Sequence, residues 1–174
     1  MNFEENKQEE SQVKRPKKHL IFLVGNKRYA LPLNQIKEVI RMTNITSLPS
    51  VDKFYEGLIN IRGQIISVIN LQTLLGTKEE GSSGNRNAII VAFVGDILVG
   101  MVVGTVLEVR AYYEKDLDIS ESGKMDIAGT GVYGVAKDEG SDLTLLLSIE
   151  KALEGTEFFT MDQHSRDQDQ NKTA

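Results

Sequence analysis

The sequence has no cysteine, and only two of its 174 residues are histidine. Without cysteine the chain can form no disulfide, and it offers neither a thiol nucleophile nor thiolate ligands for zinc. His164 lies near the C-terminus, and His19 starts a predicted strand, where we expect a neutral surface role. Neither histidine is arranged with a serine and an acid as nucleophilic catalysis requires. We therefore expect no catalytic residues and no enzymatic activity.

A long hydrophobic run is also missing. The longest apolar stretch, 88–94, has the length of a strand, whereas a membrane-spanning helix needs about 18 apolar residues or more. The N-terminal region lacks the apolar core of a signal peptide. The net charge of −5 gives no indication of nucleic-acid binding. We therefore expect a cytoplasmic protein that neither inserts into a membrane nor binds nucleic acid.

Signals for small ligands and metals are weak. Residues 129–134 match GxGxxG, but a dinucleotide site needs a strand before the glycines and a helix after them. Here a polar loop precedes them and a predicted strand follows. Asp116, Asp118 and Glu121 match no calcium-loop spacing. We expect no cofactor and no metal.

The most informative stretch is residues 57–76, GLINIRGQIISVINLQTLLG. Two runs rich in Ile, Val and Leu, 58–61 and 65–69, flank Arg62-Gly63-Gln64, and this pattern predicts a β-hairpin. Gly63 can adopt the positive φ that a tight turn needs. The turn would place Arg62 on the rim, where its guanidinium can stay hydrated or meet a partner.

A short helix is predicted directly after this hairpin. Leu71, Leu74 and Leu75 have the i, i+3, i+4 spacing of an amphipathic helix. Asn70 is a suitable N-cap and Gly76 a suitable end. The hairpin and helix together define one β-β-α unit.

Elsewhere the chain alternates short apolar runs with polar turns. We predict strands at 19–24, 27–33, 88–94, 97–103, 106–111, 132–136 and 143–147, and a last helix at 149–153 capped by Ser148. Residues 34–42 fit either a helical turn or a strand, and we favour a turn that leads into a strand. The polar stretches 77–87 and 115–131 are predicted loops. Residues 1–18 and 157–174 are predicted to be a disordered leader and tail.

The sequence also repeats itself. An offset of 70 residues matches Ile36 with Val106 and Glu38 with Glu108, and an offset of 78 matches 65–75 with 143–153. A unit of about 60 residues is marginally stable alone. We therefore predict one domain over 19–156, in which subdomains 19–76 and 88–155 share a core and residues 77–87 link them.

The order of motifs resembles one known family. FxxGxxxYxLP, EVI, LP, GLINIRG and IISVINL follow one another between residues 22 and 71. This order is similar to that of the CheW family, the coupling proteins of bacterial chemotaxis, and the resemblance spans about 19–155. It implies a mainly β fold of two packed five-stranded SH3-like β-barrels with short helices, one of them C-terminal.

The resemblance also implies a function. Members of the family are adaptors without catalytic activity that bind the regulatory domain of a CheA-type histidine kinase and the cytoplasmic tip of methyl-accepting chemoreceptors. By resemblance, the receptor-binding residues are Ile36, Glu38, Gly57 and Arg62, and Gly63 has a structural role in the hairpin. The protein would then be cytoplasmic and associated with membrane chemoreceptor arrays.

Other interpretations stay open. From chemistry alone, Glu38 and Arg62 could be a surface ion pair of little consequence. The protein could serve a gliding or pilus-motility pathway, or be a small-ligand-binding β-barrel. The sequence also departs from the family pattern, with Asp52 and Ser67 where proline is common and Asn70 where aspartate is usual. These departures leave the preferred partner open.

Overall fold

The computed structural model describes residues 15–49, 52–77, 86–119, 129–138, 142–156 and 158. They form a mainly β structure. The strands are β1 (Lys17–Val24), β2 (Lys27–Pro32), β3 (Ile36–Arg41), β4 (Tyr55–Ile61), β5 (Gln64–Asn70), β6 (Ala88–Val94), β7 (Ile97–Val103), β8 (Val106–Tyr112), β9 (Leu117–Ile119), β10 (Val132–Lys137) and β11 (Leu143–Leu147). The helices are α1 (Leu71–Leu74) and α2 (Ile149–Leu153), and two single 3-10 turns occupy Leu33–Gln35 and Glu114–Asp116.

The strands form two sheets. One has five strands in the order β3-β6-β7-β5-β4, and the other has six in the order β8-β1-β2-β11-β10-β9. The predicted fold class is confirmed: two packed β units with short helices. The sixth strand, β9, lies in a segment that the sequence predicted as a polar loop. It pairs with β10 through Leu117, Asp118 and Ile119.

The predicted internal repeat is present in the structure, but the predicted subdomain boundaries are wrong. The first hairpin, β1–β2, lies in the sheet of β8, β10 and β11, and the hairpin β6–β7 lies in the sheet of β3, β4 and β5. Neither 19–76 nor 88–155 is therefore a unit by itself. The two halves exchange hairpins, and parallel pairing of β2 with β11 and of β5 with β7 attaches each hairpin to the other half.

This exchange places both hairpins at the centre of the molecule. One face of β1–β2 contributes Leu20, Phe22, Tyr29 and Leu31 to the largest apolar cluster, and β6–β7 contributes residues such as Ile90 and Met101. The opposite faces line the interiors of the two units, with Ile21 and Ala30 in one and Ile89 and Val91 in the other. Both faces of each hairpin are buried, which explains their near-continuous apolar sequences.

Each sheet curls so that the chain leaving one edge reaches the other. In the five-stranded sheet, Thr46 follows β3 and exchanges backbone hydrogen bonds of 2.8 and 2.9 Å with Leu58 of β4. In the six-stranded sheet, β9 follows β8 and pairs with β10. Gly57 and Gly134 are the matching bulge positions of β4 and β10. A Cβ at Gly57 would collide with the Thr46 carbonyl, and one at Gly134 would lie 3.0 Å from the Asp118 carbonyl oxygen.

The structure corrects the predicted ends of the domain. Lys17 and Lys18, assigned to the leader, are the first residues of β1. Phe158, assigned to the disordered tail, is buried in the central cluster, and its ring centroid lies 6.2 Å from that of Tyr55. An aromatic ring that packs in this way has left the solvent. The other residues of the predicted leader, tail and linker lie largely outside the described residues.

Candidate functional site

The turn between β4 and β5 holds Arg62 in an unusual backbone conformation. Arg62 has φ +52° and Gly63 has φ +87°, which matches a two-residue hairpin turn with two left-handed positions. The side-chain oxygen of Asn60 accepts a hydrogen bond from the Gly63 backbone N–H at 2.8 Å. The predicted hairpin is present with Gly63 at positive φ in its turn, although Gln64 belongs to β5 and not to the turn.

The curl of the five-stranded sheet brings this turn beside the start of β3. Nη2 of Arg62 donates to Oε2 of Glu38 at 3.3 Å, and Nζ of Lys37 donates to Oε1 of Gln64 at 3.1 Å. The Arg62 side chain is 82% exposed and the Glu38 side chain 19%. Because the Arg62 end of this pair is open to solvent, the pair contributes only about 0–1 kcal/mol to stability. The structure therefore joins two of the predicted site residues, but it does not need their charges for folding.

An apolar side chain that sequence reasoning left out of the site lies at the same rim. Ile65 is 60% exposed although it belongs to β5. Its neighbour Ile66 points into the unit and is 1% exposed, and successive strand residues face opposite ways. The pair Ile65-Ile66 is not a clear signal in the sequence, since the adjacent isoleucines Ile89 and Ile90 are both buried. We call Glu38, Arg62 and Ile65 the rim surface.

The other two predicted site residues lie inward of the rim surface. Ile36 is partly buried and packs against the central cluster. Gly57 is buried, with φ +139°, where the Thr46 carbonyl occupies the space of a side chain. Gly57 therefore has no exposed side chain, and its role in receptor binding stays a prediction.

The departures at Asn70 and Ser67 have partners in the structure. Oδ1 of Asn70 accepts from the Thr73 N–H at 3.1 Å and caps α1, while its Nδ2 donates to Oε1 of Glu56 at 2.9 Å. Glu56 also pairs with Arg86 at 2.8 Å. The Ser67 hydroxyl lies 3.5 Å from the Tyr55 hydroxyl. An aspartate at position 70 could cap α1, but it could not donate to Glu56.

The second unit has a more elaborate charged network at the corresponding place. The Asp138 side chain is 2% exposed and accepts hydrogen bonds from Nη1 of Arg110 and the Tyr112 hydroxyl, both at 2.7 Å, and from the Thr144 hydroxyl. Arg28 lies 3.4 Å from both Asp138 and Glu108. The network ties the end of β10 to β2, β8 and β11.

Hydrogen bonding decides the protonation of this network. Burial by itself raises the pKa of Asp138, but the bonds from Thr144, Tyr112 and Arg110 outweigh it and hold that pKa below its ordinary value. Burial and the bond to Asp138 raise the pKa of Tyr112 to about 12. At neutral pH the carboxylate is therefore charged and the phenol protonated. The carboxylate of Asp138 thus has partners on β8 and β11, and the network holds these strand ends together.

His19 also departs from expectation. It is 3% exposed, and its ring lies 5.5 Å from that of Tyr112. Nδ1 lies 3.0 Å from the Lys17 carbonyl oxygen, to which it can donate a hydrogen bond. Burial lowers the pKa of His19, so the ring is neutral at pH 7. The neutral state is as predicted, but the surface position is wrong.

A groove separates the two units on one side. It is bounded by the β1–β2 turn, the end of α1 and the start of β10, with described lining residues that include Asn26, Tyr29, Leu75 and Val132. No residue of the rim surface is among them. The groove and the rim surface are therefore two separate places at which a partner could bind.

Among the described residues, no group of three or more His, Asp or Glu side chains is placed to hold a metal ion. In the same part of the chain, none of the helices has both the length and the apolar character needed to cross a membrane.

Comparison with known proteins adds to this picture. A family model described as a CheW-like domain matches residues 18–157. A chemotaxis protein CheW of Thermotoga maritima is 35% identical over 135 residues, which cover 78% of this chain and 86% of that protein. The protein FrzA of Myxococcus xanthus is 31% identical over 134 residues, covering 76% and 82%. The crystal structure of a scaffolding protein, TtCheW of Thermoanaerobacter tengcongensis, superposes with a TM-score of 0.71 at 28% identity, covering 81% of this chain and 94% of that one.

Proposed function

The chain belongs to the family of CheW-like domains, and from this we propose that it is a non-catalytic adaptor that couples chemoreceptors to a CheA-type histidine kinase in bacterial chemotaxis. It binds the cytoplasmic tip of a methyl-accepting receptor at one surface and the regulatory domain of the kinase at another. By holding the two together it allows the state of the receptor to alter kinase activity. Its place is the cytoplasmic side of membrane receptor arrays.

The observation that carries this proposal is the conformation of Arg62. Left-handed positions in a two-residue turn favour asparagine, aspartate or glycine, and a residue such as arginine is strained there by about 1 kcal/mol or more. Arg62 nevertheless has φ +52° and a side chain that is 82% exposed. Since its ion pair adds little stability, the arginine is better explained by binding than by folding.

The surroundings of Arg62 suit a protein interface. Ile65 offers exposed apolar area at the start of β5, directly after the turn that holds Arg62, and Arg62 forms an ion pair with Glu38. Interfaces combine an apolar centre with a charged rim, and charge arrangement selects the partner. The receptor therefore docks on the rim surface, and Ile36, in the same strand as Glu38, belongs to the proposed site. Kinase binding uses strand edges, where one sheet can extend into another.

The experiment is a pull-down of each variant against a receptor tip and a kinase regulatory domain separately, with circular dichroism as the folding control. We expect Arg62→Glu and Glu38→Arg each to weaken receptor binding by tenfold or more, on the order of 1.4 kcal/mol. Kinase binding and the spectrum should stay unchanged. Lys151→Glu, an equal charge reversal on the exposed side of α2, is the matched control and should bind normally.

Two further variants separate recognition from folding. Arg62→Asn suits the left-handed turn and removes the charge, so it should fold at least as well as the parent and still lose receptor affinity. The double variant with Glu38→Arg and Arg62→Glu restores an ion pair within the protein, but its two charges are reversed with respect to the receptor. If this double variant binds receptor normally, the ion pair acts only through folding and the rim surface is not the receptor site.

A coupling protein of another motility pathway is the second candidate. The 31% identity to FrzA supports it, whereas the 35% identity to a chemotaxis protein CheW favours the main proposal. Binding assays against a receptor and kinase of each pathway would distinguish the two, since the rim surface should discriminate between receptors by charge.

A further inference from the structure

The two sheets end in edge strands of different character. β3 and β8 are equivalent in the internal repeat, and each occupies one edge of its sheet. The exposed residues along β3 are Lys37, Val39 and Arg41. The equivalent exposed positions along β8 are Leu107, Val109 and Ala111. Two long cations on one edge are thus replaced by two apolar side chains on the other.

This difference bears on whether another strand can pair with the edge. Lysine and other charged residues protect edge strands from pairing, and an exposed apolar edge lacks this protection. Leu107 is 41% exposed and Val109 is 49% exposed. Within the described residues β8 pairs with β1 alone, so its outer backbone groups have no strand partner there. With apolar residues in place of Lys37 and Arg41 on its outer side, β8 is the more open of the two edges.

The sequence of β8 is complementary to itself. Glu108 and Arg110 flank Val109 and point to the opposite side of the sheet from it, and they pair with each other at 2.6 Å. Their side chains are 43% and 33% exposed. If two β8 strands run antiparallel with Val109 opposite Val109, each Glu108 faces an Arg110 of the other strand. On the other side of the sheet, Leu107 faces Ala111.

We propose that β8 pairs antiparallel with β8 of a second copy of this chain, about a two-fold axis that passes Val109. A two-fold interface must match its own surface, and an acid–apolar–base triplet satisfies this when it is reversed. The pairing joins two six-stranded sheets into one and gives alternating charges on one side and apolar contacts on the other. Cross-strand pairs of both kinds are stabilising. The inference does not depend on the proposed adaptor function.

Substitution at Val109 tests the pairing without touching the charged network. Val109→Lys and Val109→Asp each place two like charges directly opposite one another at the two-fold axis. Each should raise the dissociation constant of the dimer by about tenfold or more. An equal mixture of the two variants should form a mixed dimer, because lysine then faces aspartate. Val39→Lys, at the equivalent position of β3, is the matched control and should dimerise as the parent does.

Sedimentation velocity on the full chain, over a range of concentrations up to about 1 mM, supplies the measurement. The parent should shift from 19.4 kDa towards twice that mass, and the mixture of variants should do the same. A parent that stays monomeric throughout would overturn the proposal. So would a Val109→Lys variant that dimerises normally, or a mixture that does not recover the dimer.

The same variants separate this inference from the adaptor proposal. Receptor and kinase pull-downs with Val109→Lys should match the parent. If the parent is monomeric and Val109→Lys loses kinase binding, β8 pairs with a strand of the kinase and not with β8 of a second copy. If receptor and kinase binding fail for every variant and for the parent, the adaptor function is wrong while the dimer result still stands.

Discussion

Nδ2 of Asn70 donates to Oε1 of Glu56 at 2.9 Å, and this bond gives a physical reason for the asparagine that replaces the family's usual aspartate. Glu56 already pairs with Arg86. A second carboxylate at position 70 would replace a donor by a like charge at hydrogen-bond distance.

We therefore predict that Asn70→Asp lowers the free energy of unfolding by about 1–2 kcal/mol, although aspartate caps a helix as well as asparagine does. In the Glu56→Gln background the same change should cost much less, since the glutamine amide can donate to the new carboxylate. Urea denaturation of the four proteins in the cycle measures the coupling, which we expect to be about 1 kcal/mol. Equal costs in both backgrounds would show that Glu56 does not hold Asn70.

Gly57 and Gly134 should differ in their tolerance of a side chain. At Gly57 the φ of +139° and the Thr46 carbonyl both oppose a Cβ, so Gly57→Ala should cost on the order of 4 kcal/mol or more. Gly134 is not in the left-handed region, and the carbonyl oxygen of Asp118 would lie 3.0 Å from the new carbon. Gly134→Ala should therefore cost about 1–3 kcal/mol.

The same denaturation series needs a turn control. Gly63 has positive φ, but nothing lies within 4 Å of the Cβ that Gly63→Ala would add. This variant should therefore lose about 1–2 kcal/mol of stability from backbone strain alone. If Gly57→Ala proves no worse than Gly63→Ala, the contact between Thr46 and β4 does not constrain the barrel.

Asp138 should make stability depend on pH in acid. Its hydrogen bonds hold its pKa below the ordinary value, so the unfolded chain takes up the proton at higher pH than the folded one. The stabilisation by Asp138 is complete above the ordinary carboxyl pKa of about 4 and is lost as the pH falls through the folded value. Asp138→Asn should be less stable at pH 7 but lose less stability between pH 5 and pH 3.

Thermal unfolding followed by circular dichroism at several pH values tests how the stability of each protein depends on pH. Asp116→Asn is a suitable control, because Asp116 accepts only a local backbone bond from Tyr113 outside the network. Parallel pH profiles for the parent and Asp138→Asn would contradict the role of the network.

Phe158 should contribute to stability although it follows the last described helix. It is 9% exposed and packs against Tyr55 in the central cluster. We expect Phe158→Ala to lower the free energy of unfolding by about 2–4 kcal/mol. Phe93→Ala is the matched control, since Phe93 is 47% exposed and its truncation should change stability by about 0.5 kcal/mol or less. If Phe158→Ala leaves the free energy of unfolding unchanged, Phe158 belongs to the predicted tail and not to the core.

Local signals were sufficient for the elements that depend on neighbouring residues. The hairpin around Arg62 and Gly63, the capping of α1 by Asn70 and the capping of α2 by Ser148 were all predicted and are present. Turn geometry and helix capping are set within about four residues of chain, so the sequence contains them directly. The repeat was visible for the same reason, since equivalent strands have equivalent patterns.

Other features depend on distant contacts. The sequence around His19 predicts a surface position, and the packing of Tyr112 against its ring contributes to its burial. β9 lies in a stretch that is polar as a whole, and it forms a strand because β10 offers it a pairing edge. Phe158 lies in a short, mostly polar stretch near the C-terminus, and Tyr55 gives it a place to pack.

The sequence by itself determined most of the strands, the two matching halves and the position of Arg62 at a hairpin tip, because each is fixed by residues close together in the chain. Only the tertiary structure decided which hairpin belongs to which sheet. The parallel pairs of β2 with β11 and of β5 with β7 join residues far apart, and a hairpin has the same internal hydrogen bonds in either sheet. The same exchange placed Glu38 beside Arg62 through the curl of the sheet and left β8 as an open edge, neither of which a local pattern can specify.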